Sequence, residues 1–228
     1  IGTGTTRIVI DTRKSGATGG DIIVRGKTTG AYDGVYTSNT QFFGNDLTLV
    51  GETGNASQYG VRLAASNVYN GTPGGNLSQV LDADNDLTIT AVNTAANYSG
   101  NALRTGVNPR VYAEGNFTLN TSGKLEYTSW QDFLNINPGK TLSVNFDGTA
   151  TFTTSLGDPN SGVQQGGLAI RSYQQDNFTS GFDSSNWTLN SNLSALTIGK
   201  SSNAGAVVIG STTQIAGPIT IHGGDIAI

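Results

Sequence analysis

Three aspartates in the stretch DADND, Asp82, Asp84 and Asp86, stand at alternate positions, the spacing at which carboxylates wrap a calcium ion. Leu87 occupies the place where such a loop needs a glycine to turn, and no glutamate follows to close the coordination sphere. The trio is therefore a weak calcium candidate, and a solvated corner of the chain is the plainer reading. The nonapeptide repeat Gly-Gly-X-Gly-X-Asp that binds calcium in some solenoids is absent as well.

General acid–base chemistry finds little to work with. The one histidine, His222, alternates outward between Ile221 and Gly223 in a strand-like stretch, as an exposed strand residue does. Without a further base no serine triad can be assembled, and with no cysteine the usual zinc ligand sets are missing too. Asp147, Asp158, Asp176 and Asp183 fall in or near longer loops, where the carboxylates of a polysaccharide hydrolase would sit. No Asp-Asp pair with a nearby His or Arg-X-Lys element accompanies them. We read a chain that is not an enzyme and needs no cofactor.

Aromatic rings offer a better route to a ligand. Trp130 and Phe133 lie in YTSWQDFLNINPG (127–139), and Tyr173, Phe178 and Phe182 in SYQQDNFTSGFDSSNW (172–187), the two segments where the rhythm of the chain breaks. Exposed on excursions, such rings would stack on sugars. The competing reading, which the sequence favours, packs them onto the body of the protein or plugs an end with them. Eight asparagines (55, 76, 97, 116, 120, 177, 186 and 192) begin Asn-X-Ser/Thr sequons, only a modest excess over chance in so polar a chain. Asparagine is in any case expected at turns.

The elements that must position these residues are short strands. An apolar-X-apolar unit ending in Gly, Asn or Asp recurs as RIVID (7–11), DIIVRG (21–26), DLTLVG (46–51), DLTITA (86–91), NFTLN (116–120), TLSVNF (141–146), GLAIRS (167–172) and ALTIG (195–199), among others. These have the period of two that marks strands, and no long stretch has an apolar face at helical spacing. With 32 glycines, 5 prolines and 12% charged residues, turn formers are used systematically. DLTLVGETGNASQYGVRLAAS (46–66) aligns without gaps with DLTITAVNTAANYSGNALRTG (86–106), a long internal period that points to stacked units. The fold class predicted is all-β, a right-handed parallel β-helix of short strands. It forms a single segment over 1–228, with loop excursions at 127–140 and 172–186. At some 20 to 25 residues per coil, roughly ten coils would make a rod of about 45 to 50 Å.

Charge and hydropathy narrow the partners. A net charge of -4 and a pI near 4.8 argue against nucleic acid, and no run approaches the roughly 18 apolar residues that insertion into a membrane requires. The chain begins at Ile1 and ends within strand pattern, GPITIHGGDIAI (217–228), which reads as a segment excised from a longer protein. Adjacent coils of that parent would cover Ile226 and Ile228, and without them the open edge is expected to associate weakly end to end.

The closing stretch LTIGKSSNAGAVVIGSTTQIAGPITIHGGDIAI (196–228) resembles the repeat regions of filamentous haemagglutinin-like exoproteins, the large bacterial adhesins exported by two-partner secretion. Gly-X-Ile-Thr-Ile and Gly-Gly-Asp-Ile-Ala-Ile units carry the likeness, and DLTLVG…YGVRLAAS is written in the same style. The resemblance implies a β-helical rod that is secreted or held at the bacterial cell surface, with a cell-surface glycan or protein receptor as partner. Two other classes share the architecture. Polysaccharide lyases and hydrolases would need the clustered carboxylates not found above. Ice-binding solenoids need Thr-X-Thr arrays at the same place in successive coils, and Thr88 with Thr90, or Thr149, Thr151 and Thr153, have the spacing without an evident recurrence.

Overall fold

A computed structural model of the chain describes residues 8–13, 19–38, 40–64, 80–95, 100–106, 110–128, 133–158, 160–210 and 215–228. The first coil carries β1 (Ile8–Asp11), β2 (Ile22–Thr28) and β3 (Val35–Ser38), and the second β4 (Thr40–Gly44), β5 (Leu47–Thr53) and β6 (Val61–Ala64). The third and fourth carry β7 (Val80–Ala83), β8 (Leu87–Asn93), β9 (Asn101–Thr105), β10 (Arg110–Ala113), β11 (Phe117–Thr121) and β12 (Lys124–Tyr127). The fifth holds β13 (Phe133–Leu134), β14 (Thr141–Phe146) and β15 (Ala150–Phe152), the sixth β16 (Ser155–Leu156), β17 (Gln165–Arg171) and β18 (Phe182–Asp183). Two-stranded coils follow, β19 (Leu193–Ile198) with β20 (Val207–Val208) and β21 (Ile219–Ile221) with β22 (Ile226–Ala227).

Every strand pairs in parallel with its counterpart one coil away. The longest sheet runs β2-β5-β8-β11-β14-β17-β19-β21; a second runs β1-β4-β7-β10 and a third β3-β6-β9-β12-β15. The chain is thus an all-β parallel solenoid of about six three-stranded coils. A single 3-10 turn, Ser184–Asn186, is the one helical element among the described residues.

Like stacks on like inside the long sheet. Leu47, Leu87, Phe117, Leu142, Leu168 and Leu196 form one inward column, and Leu49, Ile89, Leu119, Val144, Ile170 and Ile198 the next. All are buried, and each contributes about 1.5–3 kcal/mol of apolar burial. No coil could cover these faces alone, which is why the strands exist only as a stack. Backbones also come very close across a coil: a Cβ at Gly51, within β5, would collide with the carbonyl oxygen of Gly60 just before β6, so no other residue fits there.

Coil length varies more than the sequence suggested. Along the long sheet Ile22 stands beside Leu47, Leu47 beside Leu87, Leu87 beside Phe117, Phe117 beside Leu142, Leu142 beside Leu168, Leu168 beside Leu196 and Leu196 beside Ile219. The step from Leu47 to Leu87 is the widest of these, so the aligned stretches 46–66 and 86–106 are separated by one wide coil rather than by several ordinary ones. Eight strands span about 34 Å at the usual strand spacing, shorter than the expected ten coils, because the excursions consume the remaining residues.

Polar side chains bind one coil to the next at the corner preceding the long sheet. Asp21 Oδ1 accepts from Asn45 Nδ2 (3.1 Å) and the Asp46 amide (3.3 Å); Asp46 Oδ1 accepts from Asn85 Nδ2 (2.8 Å) and the Asp86 amide (3.0 Å). Asp86 Oδ1 in turn accepts from the Asn116 amide at 2.7 Å, and Asn116 Oδ1 from the Thr141 amide at 3.1 Å. The Asp-Leu-Thr and Asn-Phe-Thr starts of the repeats are this ladder.

Candidate functional site

The aromatic candidates divide. Phe178 and Phe182 are buried, and their rings join Phe146, Phe152, Tyr127 and Trp187 in one cluster: Phe178–Phe182 5.3 Å, Phe182–Trp187 5.4 Å, Phe152–Trp187 4.8 Å. They are withdrawn as surface stacking residues, because the excursion that carries them folds back into the core. Tyr173 is half-buried, and burial together with the nearby Asp147 charge raises its phenol above the ordinary value. Phe133 sits in β13 opposite Ser155, with its side chain outside the described residues, and Trp130 lies outside them altogether.

The acidic candidates serve structure. Asp86 belongs to the corner ladder, while Asp82 and Asp84 face Arg13, whose Nη1 lies 3.4 Å from Asp82 Oδ2 and 3.8 Å from Asp84 Oδ1. Burial raises the Asp82 carboxyl above its usual value, and the pull of Arg13 opposes that. A cation already occupies this corner, so Asp82, Asp84 and Asp86 do not converge as a calcium loop. Among the described residues no group of three or more His, Cys, Asp or Glu side chains is arranged to hold a metal ion.

The loop carboxylates are engaged as well. Asp147 is fully buried and accepts from the amides of Tyr173 (3.0 Å), Gln174 (3.0 Å) and Gln175 (3.1 Å). Asp183 accepts from the Ser185 amide (2.8 Å) and hydroxyl (2.6 Å), which hold its carboxyl below the ordinary value. Asp158 accepts from the Asn160 amide at 2.8 Å. Asp176 lies 3.3 Å from Ser202 Oγ and, with Asn177, lines a groove of about 530 Å³ against Ala204 and Gly205. His222 is partly exposed, and its backbone carries the ladder to Ile198 and Asn203.

Two outward faces stand out. On the long sheet, Thr48, Thr88, Thr118 and Ser143 stack in register, and Thr197 on Thr220 continues the hydroxyls beyond Ala169. The Thr88 position therefore recurs from coil to coil, against the expectation from sequence, which assumed even coil lengths. Its neighbouring column reads Val50, Thr90, Asn120, Asn145 and Arg171, so the paired Thr-X-Thr unit occurs once. Asn145 Nδ2 donates to Asn120 Oδ1 (2.9 Å) and Asn120 Nδ2 to Thr90 Oγ1 (3.2 Å), an amide ladder along the surface.

The third sheet presents Tyr36, Arg62, Arg104, Glu126 and Thr151 in one outward column. The Arg62 guanidinium lies 5.5 Å from the Tyr36 ring and 5.8 Å from Tyr59, with Asp33 Oδ2 3.9 Å away. Arg104 is also 5.8 Å from the Tyr59 ring, donates from Nη1 to the Tyr59 hydroxyl (3.1 Å), and lies 3.5 Å from Glu126 Oε2. The Tyr59 bond is the main reason the Arg104 guanidinium holds its proton above the ordinary value. Tyr59 is fixed in turn, because its amide donates to Asp33 Oδ1 at 2.8 Å. Sequence reasoning missed this column, since Arg62 and Arg104 are brought together only by the wide coil between them.

No family model matches the chain, and no curated protein or solved structure matches it either. The class the fold defines is the parallel β-solenoid.

Proposed function

We propose that the chain is a structural and adhesive segment of a large secreted or surface-anchored bacterial exoprotein, a rigid rod whose sides offer a binding surface to a cell-surface glycan or protein receptor. The observation that carries this reading is the eight-stranded parallel sheet, whose apolar columns run through every coil and stiffen the stack along its axis. The engagement of Asp147 by amides of the next coil, and of Asp158 and Asp183 by donors two residues on, supports a non-catalytic role over the polysaccharide-active alternative. The likeness of 196–228 to haemagglutinin-like repeats supports export. Probing a glycan array and cultured host cells with the purified chain tests the adhesive role, and binding to neither sinks it. A turnover screen on acidic polysaccharides addresses the enzyme.

One observation favours a second reading, ice binding: the in-register hydroxyl column Thr48, Thr88, Thr118 and Ser143. Thermal hysteresis of the purified chain decides it. On that face the Thr-X-Thr unit occurs once, which leads us to expect none.

A further inference from the structure

On an acidic chain of net charge -4, the outer face of β6, β9 and β12 gathers Arg62, Arg104 and Lys124, whose acidic partners among the described residues are Asp33 and Glu126. Arg62 and Arg104 are directly opposed cross-strand neighbours, a pairing of like charges that is unfavourable by itself. Their guanidinium groups carry roughly ten N–H donors between them. Among the described residues, the one side-chain hydrogen bond these donors make is that of Arg104 to the Tyr59 hydroxyl. Asp33 is too far from Arg62 for a hydrogen bond, and its Oδ1 is already taken by the Tyr59 amide. Glu126 is shared with Lys124, whose Nζ lies 2.5 Å from Oε1. The Tyr36 and Tyr59 rings nevertheless hold both guanidinium groups in place, and both side chains remain open to solvent, at 42% and 49% exposure.

We propose that Arg62 and Arg104, framed by Tyr36 and Tyr59, form a binding site for a carboxylate-bearing polysaccharide. Two planar donor forks one coil apart match carboxylates bidentately, and an anion between them relieves their mutual repulsion. The partly exposed Tyr36 ring supplies an apolar face for a sugar ring. The remaining guanidinium donors meet hydroxyl groups. This site rests on the adhesive reading and names its ligand class.

Calorimetric titration of the full chain with oligogalacturonate tests the site, with neutral dextran and dextran sulfate as comparison ligands. We expect saturable binding of oligogalacturonate and none of dextran. Arg62→Gln and Arg104→Gln each lower the affinity about tenfold or more, and Lys27→Gln, on the long sheet, leaves it unchanged. Arg62→Lys, which keeps the charge and removes the fork, also weakens binding. Unchanged thermal melting of the variants shows that they remain folded. Wild-type binding retained by the double Gln variant overturns the site, while any saturable glycan binding that persists leaves the adhesive reading standing. Failure of the wild type to bind oligogalacturonate overturns the site too, and the adhesive reading falls with it only if arrays and cells are also blank. Full binding by Arg62→Lys, or tighter binding of dextran sulfate than of oligogalacturonate, overturns the assignment to carboxylate.

Discussion

Removal of the Asp147 carboxylate should be among the most damaging single changes in the chain. The group is fully buried and serves as acceptor for three consecutive amides, those of Tyr173, Gln174 and Gln175. From the other side Lys200 Nζ donates to the carbonyls of Tyr173 (3.1 Å) and Gln175 (2.5 Å), so one turn is clamped between coils five and seven. Asp147→Ala removes the carboxylate that the amides of Tyr173, Gln174 and Gln175 share. Hydrogen bonds to a charged group are worth about 1.5–3 kcal/mol each. Water entering the cavity and non-additivity reduce the total, so we expect a loss of about 3–5 kcal/mol. Asp147→Asn keeps one acceptor oxygen and turns an amide donor toward other donors, for a loss of about 2–3 kcal/mol. Trp187 reports the change directly: it is buried 6.0 Å from Phe146, the residue next to Asp147, and its fluorescence can be followed through urea unfolding. A loss below about 1 kcal/mol for the alanine variant, a typical net value for one ordinary hydrogen bond, would refute the reasoning.

Other perturbations follow from burial. The buried Tyr127 hydroxyl has no hydrogen-bond partner among the described residues, so Tyr127→Phe should leave urea stability unchanged or raise it by about 1 kcal/mol. Burial also raises the Tyr127 phenol well above its ordinary value. Its contribution is therefore intact below about pH 10 and falls as pH rises further, by about 1.4 kcal/mol per pH unit. Alkaline titration of stability should show that slope in the wild type and a shallower one in Tyr127→Phe. Ile89→Ala, in the middle of an inward column with no exposure, should cost about 2–5 kcal/mol in chemical denaturation. Ile219→Ala, at 44% exposure in β21, should cost less than half as much.

What could be read from the residues was whatever repeats within one coil. Alternation in DLTLVG and DLTITA gives the inward Leu47, Leu49, Leu87 and Ile89, and the shared Asp-Leu-Thr start gives the register that the fold displays. What lay beyond reach was whatever depends on the lengths of the excursions between strands. Arg62 and Arg104 are far apart along the chain and meet only because the coil between them is wide. Thr88 and Thr118 are separated by a shorter coil and also stand in register. Phe178 and Phe182 sit where the alternation fails, and nothing local distinguishes a ring on a protruding loop from one on a turn that dips inward. Asp147 carried the same ambiguity. Its partners lie a full coil later, so a buried acceptor for backbone amides looked like a loop acid available for catalysis.

The corner ladder has a direction. Asp21 accepts from the second coil, Asp46 from the third, Asp86 from the fourth and Asn116 from the fifth. Asp147 and Asn177 likewise accept from the coil that follows each. A completed coil thus exposes ready acceptors to the segment that comes next in the chain, while the segment brings the amides. The direction belongs to these corners alone: elsewhere the amides of Asn93, Ile136 and Phe178 donate forward to Ser122, Gln165 and Asn203 of the coil that follows, and Asn203 Nδ2 donates to the His222 carbonyl. In a one-dimensional stack where each unit contacts its neighbours, the ladder gives the two faces of a coil different characters at this corner, acceptors toward the following coil and amides toward the preceding one, so that coils match there only head to tail.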